Sequence, residues 1–377
     1  MSESSSILAD LFSRRAIQLR EDPFLRSVPE APDLMGPSLW NRVEGMMLGL
    51  AIGDALGGPS EGLLPAKRRT RFGVPAGGDI RDYHSARGGE EGRRAKDARG
   101  YPSDDTQMAF WTLDQINQDR TFEPAHVAAR FCRHEIFGIG QTVASFRRNM
   151  KQGKHWSESG PSSAGNGALM RIAPMLIPHL RTPSPGLWSD TALSAMLTHN
   201  DTGSIAACVA YIDILWRLLS MSEAPPARWY LERYGEIASR LETGTGYAPR
   251  GGAYGGYRGP MWKFVVERVG HALDSEQQTV EACNSWYSGA YLLETLPCVF
   301  LILCRYGHDP EEAIVRAVND TKDNDTAAAI VGAAVGALYG RAGLPERWIE
   351  NLTGRTGRKD DRKVFEILHR AHDLWAP

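Results

Sequence analysis

The chain has 377 residues, 42% of them hydrophobic, with 43 Lys and Arg set against 45 Asp and Glu for a net charge of -2. Such a length and apolar fraction suit one large or two ordinary globular domains. The near balance of charge excludes a broad electrostatic footprint for nucleic acid or an anionic membrane.

In chain order, residues 1–37 form a polar, proline-spotted arm, with one amphipathic helix predicted from Ile7 to about Leu19. The remainder, 38–377, reads as the main domain. Helical periodicity and capping signals recur over 40–55, 104–118, 124–137, 166–179, 187–199, 203–220, 227–241, 261–273, 289–306, 310–318, 324–340 and 360–374. Runs of alternating polar and β-branched residues are nearly absent, so the predicted fold class is all-α. No repeat of constant period marks a solenoid. Two Gly-rich stretches, Gly73–Pro102 and Gly244–Pro260, interrupt the helices. Loops of that length are lids or rims of a site, or disordered. The N-terminus lacks a secretion signal, and "AAAIVGAAVGALYG" is too short to span a bilayer. Five cysteines without a C-x-x-C pair read as reduced thiols, so the expected compartment is the cytoplasm.

Chemistry concentrates at two helix openings. "YPSDDTQM" places Ser103, Asp104, Asp105 and Thr106 ahead of one helix, and "NDTKDNDTAAA" places Asp320, Asp323, Asp325 and Thr326 ahead of another. Either alone reads as capping, because Asp, Ser and Thr are good N-caps and carboxylates favour the positive helix end. Together they supply more carboxylates than two caps need. If the openings meet, four carboxylates repel and raise one another's pKa unless a cation neutralises them. An all-oxygen donor set selects Mg2+, Mn2+ or Ca2+ over zinc. An EF-hand is excluded, since neither register has glycine at the sixth place and glutamate at the twelfth. A carboxylate-bridged pair of ions fits better.

Three further motifs stand beside these. "GMMLGLAIGDALGGPSEG" is a helix whose glycines admit a neighbouring backbone, followed by a turn with Glu61. "SSAGNGALMRIAPM" has Gly165-Asn166-Gly167 opening a predicted helix whose bare amides suit a diphosphate, or forming an ordinary turn. "THND" sets His199 at a junction of two helices, as a structural residue or a ligand contact.

In this order, the motifs resemble the ADP-ribosylglycohydrolase family from about Trp40 to the C-terminus. The resemblance implies a compact all-α domain with two Mg2+ or Mn2+ ions at the base of an ADP-ribose cleft. It implies Ser103, Asp104, Asp105, Asp323, Asp325 and Thr326 as metal ligands, with Asp104 and Asp323 counted among the catalytic groups. Glu61 matches the family glutamate near the scissile bond, as an acid/base or water-orienting group. Asn166, Gly167, Met170 and Arg171 match the segment cradling diphosphate and ribose, and His199 the histidine of the same cleft. Many members read Gly-Asp-Thr-Asp-Thr where this chain has Lys322-Asp323-Asn324-Asp325-Thr326, which puts a cation beside the site.

The expected activity is removal of ADP-ribose from modified protein, foremost from arginine. Serine or O-acetyl linkages are the alternatives within that chemistry. A second reading is an immunity protein that occludes an ADP-ribosyltransferase toxin with residues 1–37. A third is a structural helical protein whose acidic motifs are only caps.

Overall fold

In the computed structural model, residues 3–32, 36–74, 78–84 and 98–376 are described. They form an all-α protein. Among the described residues the only strand-like pairings are isolated bridges, such as Gly165 with Tyr291 and Tyr247 with Gly259. No described helix is long and apolar enough to cross a membrane.

At the centre lie two antiparallel helices, Gly36–Gly57 and Asn324–Tyr339, sharing the most extensive contact between any two elements. Their sequences explain the fit. Gly45, Gly49, Gly53 and Gly57 recur every four residues, so they line one face of the first helix. They meet Gly340 and Gly336, Gly332, Ala328, and Asp325 of the second helix in turn. A Cβ added at any of these four glycines would come within 3.0 Å of the opposite backbone. Only glycine permits this approach. The close crossing sets Asp54 beside Asp325, and so decides where the site forms.

Most predicted helices appear within a few residues of their expected ends. The exception is 166–179, which forms two 3-10 turns, Leu169–Arg171 and Ala173–His179, in place of an α-helix. Pro174 and Pro178 lack the amide donors that an α-helix needs there. Helices at Pro65–Arg71, Gln141–Lys151, Trp156–Ser159, Thr279–Ser285 and Glu346–Asn351 stand beyond the expected spans.

The arm lies on the body. Its helix spans Glu3–Ser13, earlier than predicted, and packs on the Gly186–Thr198 helix. Leu8, Leu11, Ile17, Leu19, Phe24 and Leu25 are buried. The Trp188 and Trp216 indoles donate to the carbonyls of Ser27 and Glu30, at 2.9 and 2.6 Å. Burial of each large apolar side chain contributes on the order of 1.5–3 kcal/mol before entropic costs. Of the first Gly-rich stretch, 75–77 and 85–97 lie outside the described residues. The second is fully described and folds against Asp201 through Tyr247 and against the Tyr287 ring at Gly251.

Candidate active site and metal centre

The two acidic openings meet. Ser103 and Asp323 hold the N-cap positions of the Asp104–Asp119 and Asn324–Tyr339 helices, yet neither side chain caps its own helix. The first helix is capped from outside. Asp54, fully buried in the glycine helix, accepts from the amides of Ser103 at 2.9 Å and Thr106 at 3.0 Å, and from the Thr106 hydroxyl at 2.5 Å. Capping therefore does not account for Asp105, Asp323 and Asp325.

Among the described residues, two carboxylate triplets each bring one oxygen per residue within 4.8 Å of the others. One is Asp54, Asp105 and Asp325; the other is Glu61, Asp323 and Asp325. Asp325 belongs to both. Asp105 Oδ1 is buried with no hydrogen-bond partner. Asp104 lines the same cavity outside either triplet, Thr326 lines it beside Asp325, and the Ser103 hydroxyl donates to Asp105 Oδ2 at 3.2 Å. The third aspartate of the last motif, Asp320, turns away toward Arg316 and Arg69, at 3.5 and 3.9 Å.

The electrostatics follow from this crowding. Burial raises the pKa of Asp54, Asp105 and Asp325, and neighbouring carboxylates push Asp105 and Asp325 further up. Burial and then the charge of Asp54 raise Asp104. Burial brings Asp323 to about 6, against the lowering effect of a hydrogen bond from Asn166. Glu61 faces solvent at the lip, but enclosure by the cavity wall and the charge of Asp54 raise it too. A dense set of oxygen donors with an orphaned buried carboxylate oxygen fits hard divalent cations, which would hold these groups ionised.

The turn bearing Glu61 is fastened from beneath. Arg68, fully buried, donates to Ser60 Oγ at 2.8 Å, the Leu63 carbonyl at 3.0 Å and the Asn319 carbonyl at 3.1 Å. Gly62 N donates to the Lys322 carbonyl at 2.9 Å, and Asn324 Nδ2 to Ser60 Oγ at 2.9 Å. Glu61 and the last acidic motif thus form one unit. Lys322 itself points aside, its ammonium 2.8 Å from the Tyr287 hydroxyl and over that ring.

Above the carboxylates opens a cavity of about 630 Å3. Its wall includes Gly165, Asn166, Gly167, Met170 and His199. Asn166 acts through its side chain, donating to Asp323 Oδ2 at 2.6 Å and Thr295 Oγ1 at 3.1 Å. The expected α-helix N-terminus behind this turn is absent, so the turn faces the cavity without a macrodipole behind it. His199 touches Gly165 and Gly167, and burial lowers its pKa to about 3, with Arg171 adding to the effect.

Arg171 is not on the wall. It lies fully buried, donating to Ser194 Oγ, the Ser194 carbonyl and Thr198 Oγ1 at 3.1, 2.8 and 2.8 Å, over the Phe131 ring. Thr198 Oγ1 in turn lies 2.9 Å from His199 Nδ1. The expected cradle contact is therefore corrected to a core residue that supports the histidine.

Two site residues escaped the sequence reading. Asp54 is hidden within a helix of small apolar residues; an aspartate in such a run was its only signal. Arg250, from the second Gly-rich stretch, is the one arginine or lysine among the described residues lining the cavity. Its guanidinium meets the buried Glu294 at 2.8 Å and stacks on Tyr291, 5.1 Å away.

The ADP-ribosylglycohydrolase family model matches residues 35–376, across both acidic openings and the cavity wall. The chain belongs to that family. The ADP-ribosyl-[dinitrogen reductase] glycohydrolase of Rhodospirillum rubrum is 25% identical over 339 residues, covering 89% of this chain and 98% of the relative. The ADP-ribosylarginine hydrolase Tri1 of Pseudomonas putida is 27% identical over 324 residues, covering 83% of this chain and 74% of the relative. A solved ADP-ribosylglycohydrolase-related protein complex superposes with a TM-score of 0.64 at 26% identity, over 90% of this chain and 98% of the other. This family member is accordingly a hydrolase acting on ADP-ribosylated substrates, and the arm up to residue 34 lies outside the match.

Proposed function

We propose that the chain removes ADP-ribose from modified protein side chains by cleaving the N-glycosidic bond to arginine, using two Mg2+ or Mn2+ ions. The reading rests foremost on the two carboxylate triplets joined at Asp325 beneath a cavity of nucleotide size. Asp54, Asp105 and Asp325 would hold one ion, and Asp323 and Asp325 the other, with the Glu61 carboxylate beside it. Asp104, Ser103 and Thr326 would add oxygens around them. Bound there, the ions supply positive charge for the ribose hydroxyls and a more acidic water.

The chain's own residues do the rest. Asn166 keeps Asp323 aimed through its 2.6 Å hydrogen bond. Glu61, exposed at the lip of the cavity, takes a proton from water or hands one to the departing guanidine nitrogen. The transition state has oxocarbenium character, so the gain comes from positioning and prearranged charge. Gly165, Gly167, Met170 and His199 line the space for ribose and diphosphate. The Pseudomonas relative, an ADP-ribosylarginine hydrolase, supports arginine as the linkage. Five free thiols support a reducing cytoplasmic setting.

A toxin-occluding arm would need apolar anchors free for a partner. Leu8, Leu11, Ile17 and Leu19 are already buried against the body, which favours hydrolysis as the primary role.

The deciding experiment compares release of ADP-ribose from arginine- and serine-linked protein, in chelator and after Mg2+ or Mn2+ is restored. Cation-dependent release from arginine is expected. Activity that is indifferent to chelation, or confined to serine, would defeat this reading.

A further inference from the structure

The arm, outside the family match, reaches the cavity wall through one residue that the mechanism does not use. The turn Thr198–Asp201 is a junction at which each side chain serves a different segment. Thr198 Oγ1 receives Arg171 from the core. His199 fills the space against Gly165 and Gly167. Asp201 accepts from the Tyr247 hydroxyl at 2.9 Å, tying in the second Gly-rich stretch. Asn200 serves the arm, accepting from Gln18 N at 2.9 Å and donating from Nδ2 to the Ala16 carbonyl at 2.8 Å. Its own amide donates to Pro161 O at 3.0 Å, immediately before the Ser162–Gly167 wall segment.

Asn200 therefore pairs with arm backbone as a neighbouring strand would, holding both a donor and an acceptor. Either side of that contact is anchored. Ile17 and Leu19 are buried, and Arg20 N donates to the Leu241 carbonyl at 2.9 Å. Asp22 accepts from Arg240 at 2.5 Å. The contact joins a fixed arm to a turn that touches the site, so the arm's order is transmitted to the wall.

We propose that residues 16–18 of the arm act through Asn200 as a positioning element for His199 and the Ser162–Gly167 wall of the cavity. The arm is then a built-in brace of the ligand cradle. Its effect falls on ligand binding by that wall, which meets the carboxylate cluster at the Asn166–Asp323 hydrogen bond. The ligand class, an ADP-ribosyl group, rests on the proposed function; the bracing itself does not.

The test uses the full chain and three variants, Asn200→Ala, Asn200→Asp and Trp216→Phe. Hydrogen exchange across 162–168 and 198–201 reads the bracing directly, and calorimetry with ADP-ribose in the presence of Mn2+ reads its consequence. Trp216→Phe removes the indole bond to the Glu30 carbonyl, loosening the arm away from the turn. Two lost hydrogen bonds predict faster exchange in both segments for Asn200→Ala, and ADP-ribose binding weaker by about tenfold. Asn200→Asp keeps the acceptor for Gln18 and falls between. Trp216→Phe is expected to lower the Tm without either effect. Should Asn200→Ala fail to fold, Asn200→Asp carries the same comparison. Unchanged exchange at 162–168 in the Asn200 variants, or an equal change in Trp216→Phe, overturns the proposal. A wild-type chain that binds no ADP-ribose overturns the proposed function instead, and the exchange comparison still decides the brace.

Discussion

Substituting Gly53 by alanine tests whether the crossing of the two central helices sets the carboxylate geometry. The new Cβ would sit 2.7 Å from Ala329 N, with the Ala328 carbonyl closer still. Ordinary contact begins near 3.4 Å, so the backbones have to part by roughly 1 Å. Overpacking of that kind costs about 1–3 kcal/mol. Alanine returns ~1 kcal/mol in helix propensity, leaving a net loss of up to about 2 kcal/mol. In a chain of this size each kcal/mol lowers the Tm by roughly 1 °C. The larger effect is on the site. Gly53 adjoins Asp54, and Ala328 lies one turn beyond Asp325, so a shift of that size disrupts oxygens now within 4.8 Å. Comparable losses of ligand support weaken metal affinity about 10–100-fold. Titration of Mn2+ into chelator-treated protein, alongside thermal melts, measures both. Gly58→Ala is the control, since nothing lies within 4 Å of its added Cβ. If Gly53→Ala binds Mn2+ as tightly as wild type and melts at the same temperature, the crossing does not govern the cluster.

Asp325→Asn should abolish cation binding at both triplets, yet raise the Tm of the metal-free protein by a few degrees, because a crowded negative charge is removed. A metal-free Tm below that of wild type would contradict this. Glu61→Gln is expected to slow turnover by ~10²–10⁴-fold while ADP-ribose affinity holds; full activity would remove Glu61 from the mechanism. His199, lowered to about 3 by burial, stays neutral in the fold while the unfolded chain protonates near 6.5. Its share of stability is thus present above pH 6.5 and lost as pH falls toward 3, by up to ~1.4 kcal/mol per pH unit. Wild type should lose stability relative to His199→Gln in urea unfolding as pH falls across that window, and a pH-independent difference would refute the assignment.

The helical class, most helix spans, the paired acidic openings and the family are legible in the amino-acid order alone. These are local facts: periodicity follows from the 3.6-residue turn, and carboxylates beside hydroxyls at a helix start are visible in a short window. That order also showed that the glycine helix would take a close neighbour, though not which one. Only the tertiary structure decided that the neighbour is Asn324–Tyr339, and with it that Asp54 joins the cluster while Asp320 leaves it for Arg69 and Arg316. Arg171 shows the same limit. Its position in a wall-forming motif suggested a ligand contact, but side-chain direction within 3-10 turns sent it to Ser194 and Thr198. The arm's docking and Arg250's place on the cavity wall likewise depend on partners far along the chain. Residue type fixes what a group is able to do, whereas the packing of distant backbones fixes which groups stand close enough to do it together.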